Sequence, residues 1–135
     1  MKINLITSTM NDSPSIADHQ NILLDKIDEV NNGLCTSIMM QHVLQYLSIQ
    51  QLENVLSKLR HGGILNIHAI DISLLAKGLY WGEIDIQKFS SILEGSISYH
   101  SAEFLKAFLE QRGYVIEHVA MDIDTFSFIL RAKRP

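Results

Sequence analysis

Met40–Gln41–His42 and Asp71 are the residues whose positions suit ligand chemistry best, because each closes an apolar run. Leu34 to Met40 and Ile64 to Ile70 read as buried strands, and open α/β sheets bind ligands beyond the carboxyl ends of their strands. A carboxamide at Gln41 and an imidazole at His42 could line such a cleft. The competing role, and for His42 the weightier one, is capping or packing the turn that follows. Asp71 could touch a substrate or simply start a loop. Thr7 and Ser8 end a third apolar run, Ile3 to Thr7, and would bring hydroxyls to the same edge. Trp81 and Tyr99, with Tyr80 beside the former, offer aromatic faces for stacking, although such rings more often plug a sheet.

Other chemistries find little support. The six histidines (His19, His42, His61, His68, His100 and His118) show no metal-ligand spacing, and Cys35 is the only cysteine. That excludes an intrachain disulfide and predicts a small buried hydrophobe in a reducing, cytoplasmic setting. His68, inside an apolar strand, fits a hydrogen-bonded face residue. No serine lies in a nucleophile-elbow setting. The formal charge is -4, and the only basic cluster is Arg131–Lys133–Arg134, so no face suits nucleic acid. No run approaches the roughly 18 apolar residues of a membrane span, and the N-terminal apolar stretch is too short for a signal peptide.

These residues need a frame to hold them. The 135 residues, 47% of them hydrophobic and 19% charged, suit a single domain, residues 1–135, with a real core. After Ile3–Thr7, Ser13–Pro14 is a helix start, and Ile16, Leu23, Ile27 and Val30 recur at helical spacing up to Asn32–Gly33. Residues 14–31 are therefore one helix, or contain a short strand at Asn21–Leu24. Ser48 and Gln51 form a capping box before Leu52, Val55, Leu56 and Leu59, and His61–Gly62–Gly63 stops that helix. Residues 72–99 hold a short helix and an irregular excursion. "SAEFLKAFLEQRG" is a helix with a glycine stop. Residues 114–121 and 125–133 form an antiparallel hairpin. Alternating strands and helices give an α/β sandwich with a mostly parallel sheet.

The order of pieces resembles the S-adenosylmethionine-dependent methyltransferase superfamily of the Rossmann-like class. "SIMMQHVLQYLSIQQLENVLSKLRHGGILNIHAID" is similar to that family's strand, "H-V-L-E-H-L" turn, helix, "L-K-P-G-G" loop and next strand. "HSAEFLKAFLEQRGYVIEHV" resembles the later helix and its exit into the last hairpin, and "MKINL" resembles the opening strand. The likeness is good over residues 34–71 and 100–133 and poor over residues 1–33. It implies a three-layer sandwich with a sheet of about five strands, the last strand lying antiparallel beside Ile64–Ile70. It also implies that Thr7, Ser8, Gln41 and His42 stand where the family binds cofactor, that Asp71 stands in the cleft where a substrate could be touched, and that Trp81 and Tyr99 stand where the family builds its substrate cover.

One departure governs the functional expectation. The family turns its first strand through a glycine-rich loop, where backbone must approach the methyl donor. Ile6 to Asn11 contains no glycine, and the first glycine of the chain is Gly33. About 26 residues separate Thr7 from Gly33, too few for a loop, two helices and two strands. Asp18, Asp25 or Asp28 could replace the family's ribose-binding acid, yet none clearly ends a strand. The expectation is a truncated, non-catalytic domain with no cofactor. It would pair as a homodimer through an exposed first-strand edge, with no nucleic-acid or membrane partner. The alternative is an active methyltransferase with an abbreviated or subunit-completed site for S-adenosylmethionine. A fragment of a split enzyme is a third possibility.

Overall fold

The computed structural model describes residues 1–8 and 16–135. Six strands form one sheet in the order β2-β1-β3-β4-β6-β5. They are β1 (Lys2–Ile6), β2 (Gln20–Leu23), β3 (Cys35–Gln41), β4 (Leu59–Ile70), β5 (Val115–Asp122) and β6 (Ser127–Lys133). The first four run parallel, whereas β6 lies antiparallel to both β4 and β5. The helices are α1 (Ile49–Ser57), α2 (Ile72–Tyr80), α3 (Ile86–Ile92) and α4 (Ala102–Glu110). The expected α/β fold, the strand neighbours and the C-terminal hairpin are all present.

Local chemistry explains the helix starts. The hydroxyl of Ser48 accepts from the backbone N–H of Gln51 at 3.2 Å, and the carboxamide oxygen of Gln51 accepts from the N–H of Ser48 at 2.8 Å. That reciprocal pair satisfies two donors a helix start leaves open. Ser101 caps α4 by accepting from Phe104 N–H at 3.1 Å. β4 is longer than Ile64–Ile70 because the chain re-enters the sheet at Leu59, directly after α1. Residues between Leu59 and Ile64 then bulge out of register against Cys35–Ser37, with Gly62 at φ +75°.

The region between β1 and β3 departs from expectation. The Ser13–Pro14 helix start lies outside the described residues. Past it the chain forms strand β2, close to the alternative short strand at Asn21–Leu24, and then a 3-10 helix, Leu24–Glu29, so the described residues do not form one long helix. Asn21 and Ile22 are taken into pairing with Asn4 and Leu5. Helical spacing of Ile16, Leu23, Ile27 and Val30 could not reveal this, because sheet pairing is a tertiary gain that four-residue periodicity does not report.

It follows that β1 is no edge. It pairs with β2 on one side and β3 on the other. A homodimer formed through an exposed first-strand edge therefore has no edge to use; the sheet's outer strands are β2 and β5. The second strand, expected to be deleted, is retained and supplies that cover.

The register sorts side chains onto two faces. Ile3, Leu5, Ile38, Met40, Leu65, Ile67, Ala69, Phe128, Leu130 and Ala132 share the first face, all at most 2% exposed. Leu52, Val55 and Leu56 of α1, Leu105, Phe108 and Leu109 of α4, and Ile27 of the 3-10 helix complete that core. On the second face, Gln41, His68, Ile129 and Ala120 stand in one row, and Asn4, Met39, Asn66, Arg131 and His118 in the next. Met39, Gln41, Asn66 and His68 are only half-buried, while Ile129 and Arg131 are exposed. α1, α4 and the 3-10 helix Leu24–Glu29 thus build their core on the first face, while Asn4 of β1 is fully buried on the second.

Candidate functional site

β1, β3 and β4 run parallel, with Leu5 beside Met40 and Gln41 beside His68, so their carboxyl ends meet at one edge. Thr7 is buried and Ser8 exposed just past β1. Both line a cavity of about 200 Å³ with Leu24, Asp25 and Gln51. Asp25 follows β2 by two residues, so the structure gives this acid the strand end that sequence spacing could not show. Sequence reasoning weighed it among three carboxylates; β2 singles it out. Residues Thr9 to Asn11, the remainder of the expected donor loop, lie outside the described residues.

Gln41 and His42 leave β3 on the second-face side of the edge. His42 has φ +55°, a left-handed conformation uncommon for a non-glycine residue, and its N–H donates to the carbonyl of His68 at 2.7 Å. The two imidazoles lie 4.4 Å apart, tilted by 51°. Partial burial, and then the neighbouring His68, hold the His42 pKa below the ordinary value. His68 reaches the hydroxyl of Ser127 at 3.3 Å.

Asp71 has a structural task. Buried at 2% exposure, it caps α2 with one carboxylate oxygen, accepting from Ser73 N–H at 2.9 Å and Leu74 N–H at 3.1 Å. Its other oxygen accepts from Ala102 N–H at 2.8 Å, at the start of α4. Both oxygens are occupied by backbone, which leaves the residue poorly suited to a substrate.

The aromatic candidates separate. Trp81 lies edge-on to Tyr80, ring centroids 5.0 Å apart, and both are largely exposed. Tyr99 lines a small cavity of about 10 Å³ with Gln45, Ser98 and His100. That is room for about one water. There the Nδ1 of His100 and the carboxamide oxygen of Gln45 are buried with no partner among the described residues, while His100 Nε2 meets Ser98 Oγ at 3.0 Å. The structure therefore groups Thr7 with Ser8, and Gln41 with His42, but places Asp71, Trp81 and Tyr99 in separate settings.

Cys35 is fully buried, and burial pushes its thiol pKa up, as suits a core side chain. Among the described residues no cluster of three or more His, Cys, Asp or Glu could hold a metal ion. Among them, too, no helix is long and apolar enough to cross a membrane.

No protein-family model and no curated protein matches the sequence. Solved structures do. A methyltransferase from Mesorhizobium loti, dependent on S-adenosylmethionine, is 15% identical with a TM-score of 0.57, over 90% of this chain and 72% of that one. Magnesium protoporphyrin IX methyltransferase from Synechocystis PCC 6803, solved with S-adenosylhomocysteine bound, is 17% identical with a TM-score of 0.56. That match covers 88% of this chain but only 54% of the enzyme. A methyltransferase of Archaeoglobus fulgidus is 14% identical with a TM-score of 0.53, over 87% and 68% of the two chains. This chain spans between about half and three quarters of their lengths. With the strand order and the C-terminal hairpin, these likenesses show that the chain has the fold of the S-adenosylmethionine-dependent methyltransferase superfamily.

Proposed function

We propose that the chain is a methyltransferase-fold domain that works by binding, to a partner or to a second copy of itself, and does not transfer methyl groups. The observation that carries this is the passage from β1 to β3. Between Ile6 and Cys35 the chain has no glycine before Gly33, and its described residues there form one four-residue strand and one 3-10 helix. Methyl transfer depends above all on holding the donor in line with its acceptor, and close backbone approach at the first turn is the means the resemblance implies. Thr7 and Ser8 carry side chains where that approach would be made. Self-association, if it occurs, would use β5, β2 or the second sheet face, since β1 is enclosed.

A second reading keeps the donor. Asp25 at the end of β2 shares a cavity with Thr7 and Ser8, and its carboxylate could accept from ribose hydroxyls, as the resemblance implies for an acid at that strand end. The residues present fit the ribose part of S-adenosylmethionine better than its methionine part. Titration calorimetry with S-adenosylhomocysteine separates the two readings, with light scattering on the same sample for the oligomeric state. No heat at millimolar ligand is expected. Micromolar binding that Asp25→Asn abolishes would overturn the first reading and establish the second.

A further inference from the structure

The second face of the sheet, one of the surfaces open to self-association, carries a groove with its own chemistry. Two cavities, of about 190 and 240 Å³, lie side by side and share His68 and Ile129. Met39, Gln41 and Asn66 line the first; His42, Ala120 and Thr125 are among the residues lining the second. Joined, they reach the lower part of the roughly 300–1,000 Å³ range of small-molecule pockets. Three features define what would fit.

The floor is flat, because it is the pleated surface of β3, β4 and β6, with Met39 and Ile129 as its apolar parts. Two carboxamides stand on that floor. Gln41 and Asn66 are half-buried, and among the described residues neither side chain has a hydrogen-bond partner. A half-buried amide without a partner can both donate and accept, and it gains most when a ligand edge offers the complementary groups. The third feature is the imidazole pair at the carboxyl end, held by the left-handed turn at His42, which presents aromatic faces. Asp122 also lines the second cavity, but its Oδ1 already accepts from the N–H groups of Asp124 and Thr125, and Arg131, beside Asn66, is paired with Glu117, so the carboxamides and imidazoles are the groups left for recognition.

A flat floor, unsatisfied amides and aromatic edges are complementary to a planar heteroaromatic ring bearing donors and acceptors on its rim. We propose that this groove binds such a ring, lying against Met39 and Ile129, edge-bonded by Gln41 and Asn66, and bounded by His42 and His68. The site is distinct from the Thr7–Ser8–Asp25 cavity, which Gln51 of α1 borders, and it does not depend on whether the chain retains a methyl donor.

The test is nitrogen-15 NMR titration of the whole chain with inosine and cytidine as probes and cyclohexanol as a non-planar control. One nucleoside at least is expected to shift the side-chain amide signals of Gln41 and Asn66 and the ring signals of His68, saturably and in the millimolar range. Cyclohexanol should leave them unmoved. Asn66→Leu, on an open face where the fold tolerates it, should weaken binding about tenfold, as should Gln41→Met if the first variant folds poorly. Absence of saturable shifts with both nucleosides would overturn the proposal. So would equal affinity in both variants, or shifts confined to Thr7, Ser8 and Asp25. The last outcome would favour the donor-retaining reading instead, so failure here and failure of the binding-domain reading remain separable.

Discussion

Asp71 shows how a residue that looks chemical in the sequence becomes structural in the fold. An acid at the carboxyl end of a strand has the position of a ligand-binding side chain, but its oxygens are claimed by the N–H groups of Ser73, Leu74 and Ala102. One carboxylate thus ties the starts of α2 and α4 to the end of β4. Removing it as Asp71→Ala leaves three donors open, two at the start of α2 and one at the start of α4, and should lower stability by about 2–4 kcal/mol in urea unfolding. The residue 31 positions away could not be seen from the sequence, since Ala102 offers only a backbone N–H. His100 gives a second residue-scale expectation. Burial holds its pKa below the ordinary 6.5, and its Nδ1 has no partner among the described residues. The unfolded chain therefore takes up a proton that the native chain resists. Stability should be at its plateau above about pH 6.5 and fall as pH drops toward the lowered native value, with His42 acting in the same direction. Urea midpoints at about pH 7.5 and pH 5.5 check this, and His100→Asn should flatten the difference.

At the scale of elements, α2 is fixed against the hairpin by a missing side chain. A Cβ on Gly78 would come within 2.6 Å of the Phe126 ring. Phe126 has little room to retreat, since it sits at φ +54° in the turn between β5 and β6, and its carbonyl accepts from Asp71 N–H at 2.8 Å. Gly78→Ala should therefore destabilise by about 1–3 kcal/mol despite alanine's better helix propensity, as thermal unfolding would show. Which elements were legible follows from where their information lies. α1 and α4 were readable because Ser48–Gln51 and Ser101 are local signals, and the hairpin because its alternation is local too. β2 was legible only as an alternative, a short strand at Asn21–Leu24, because Gln20–Leu23 becomes a strand only by pairing with β1. The open second face was in fact written in β4. Ile64–Leu65–Asn66–Ile67–His68–Ala69 alternates polar with apolar, whereas parallel strands covered on both faces run continuously apolar. Gln41 and His42 were found from strand ends; Asn66 and the emphasis on Asp25 needed the register.

For the molecule as a whole, the sheet divides into a parallel part built before residue 71 and an antiparallel part built after residue 114, joined through β4 and β6. Its single-sided core explains how a short chain keeps a large superfamily's strand order: the first face is complete, with β1, β3, β4 and β6 all contributing fully buried side chains. Whatever binds the chain has the other face and the two outer strands to meet. The placement of β1 between β2 and β3 has a consequence for biosynthesis. Of the six strands it leaves the ribosome first, yet one of its neighbours, β3, is made some thirty residues later and the β4 that closes the sheet later still. Nascent Ile3 and Leu5 lack their full set of strand neighbours until Gln41 has emerged, a window in which chaperone capture would govern the yield of folded protein.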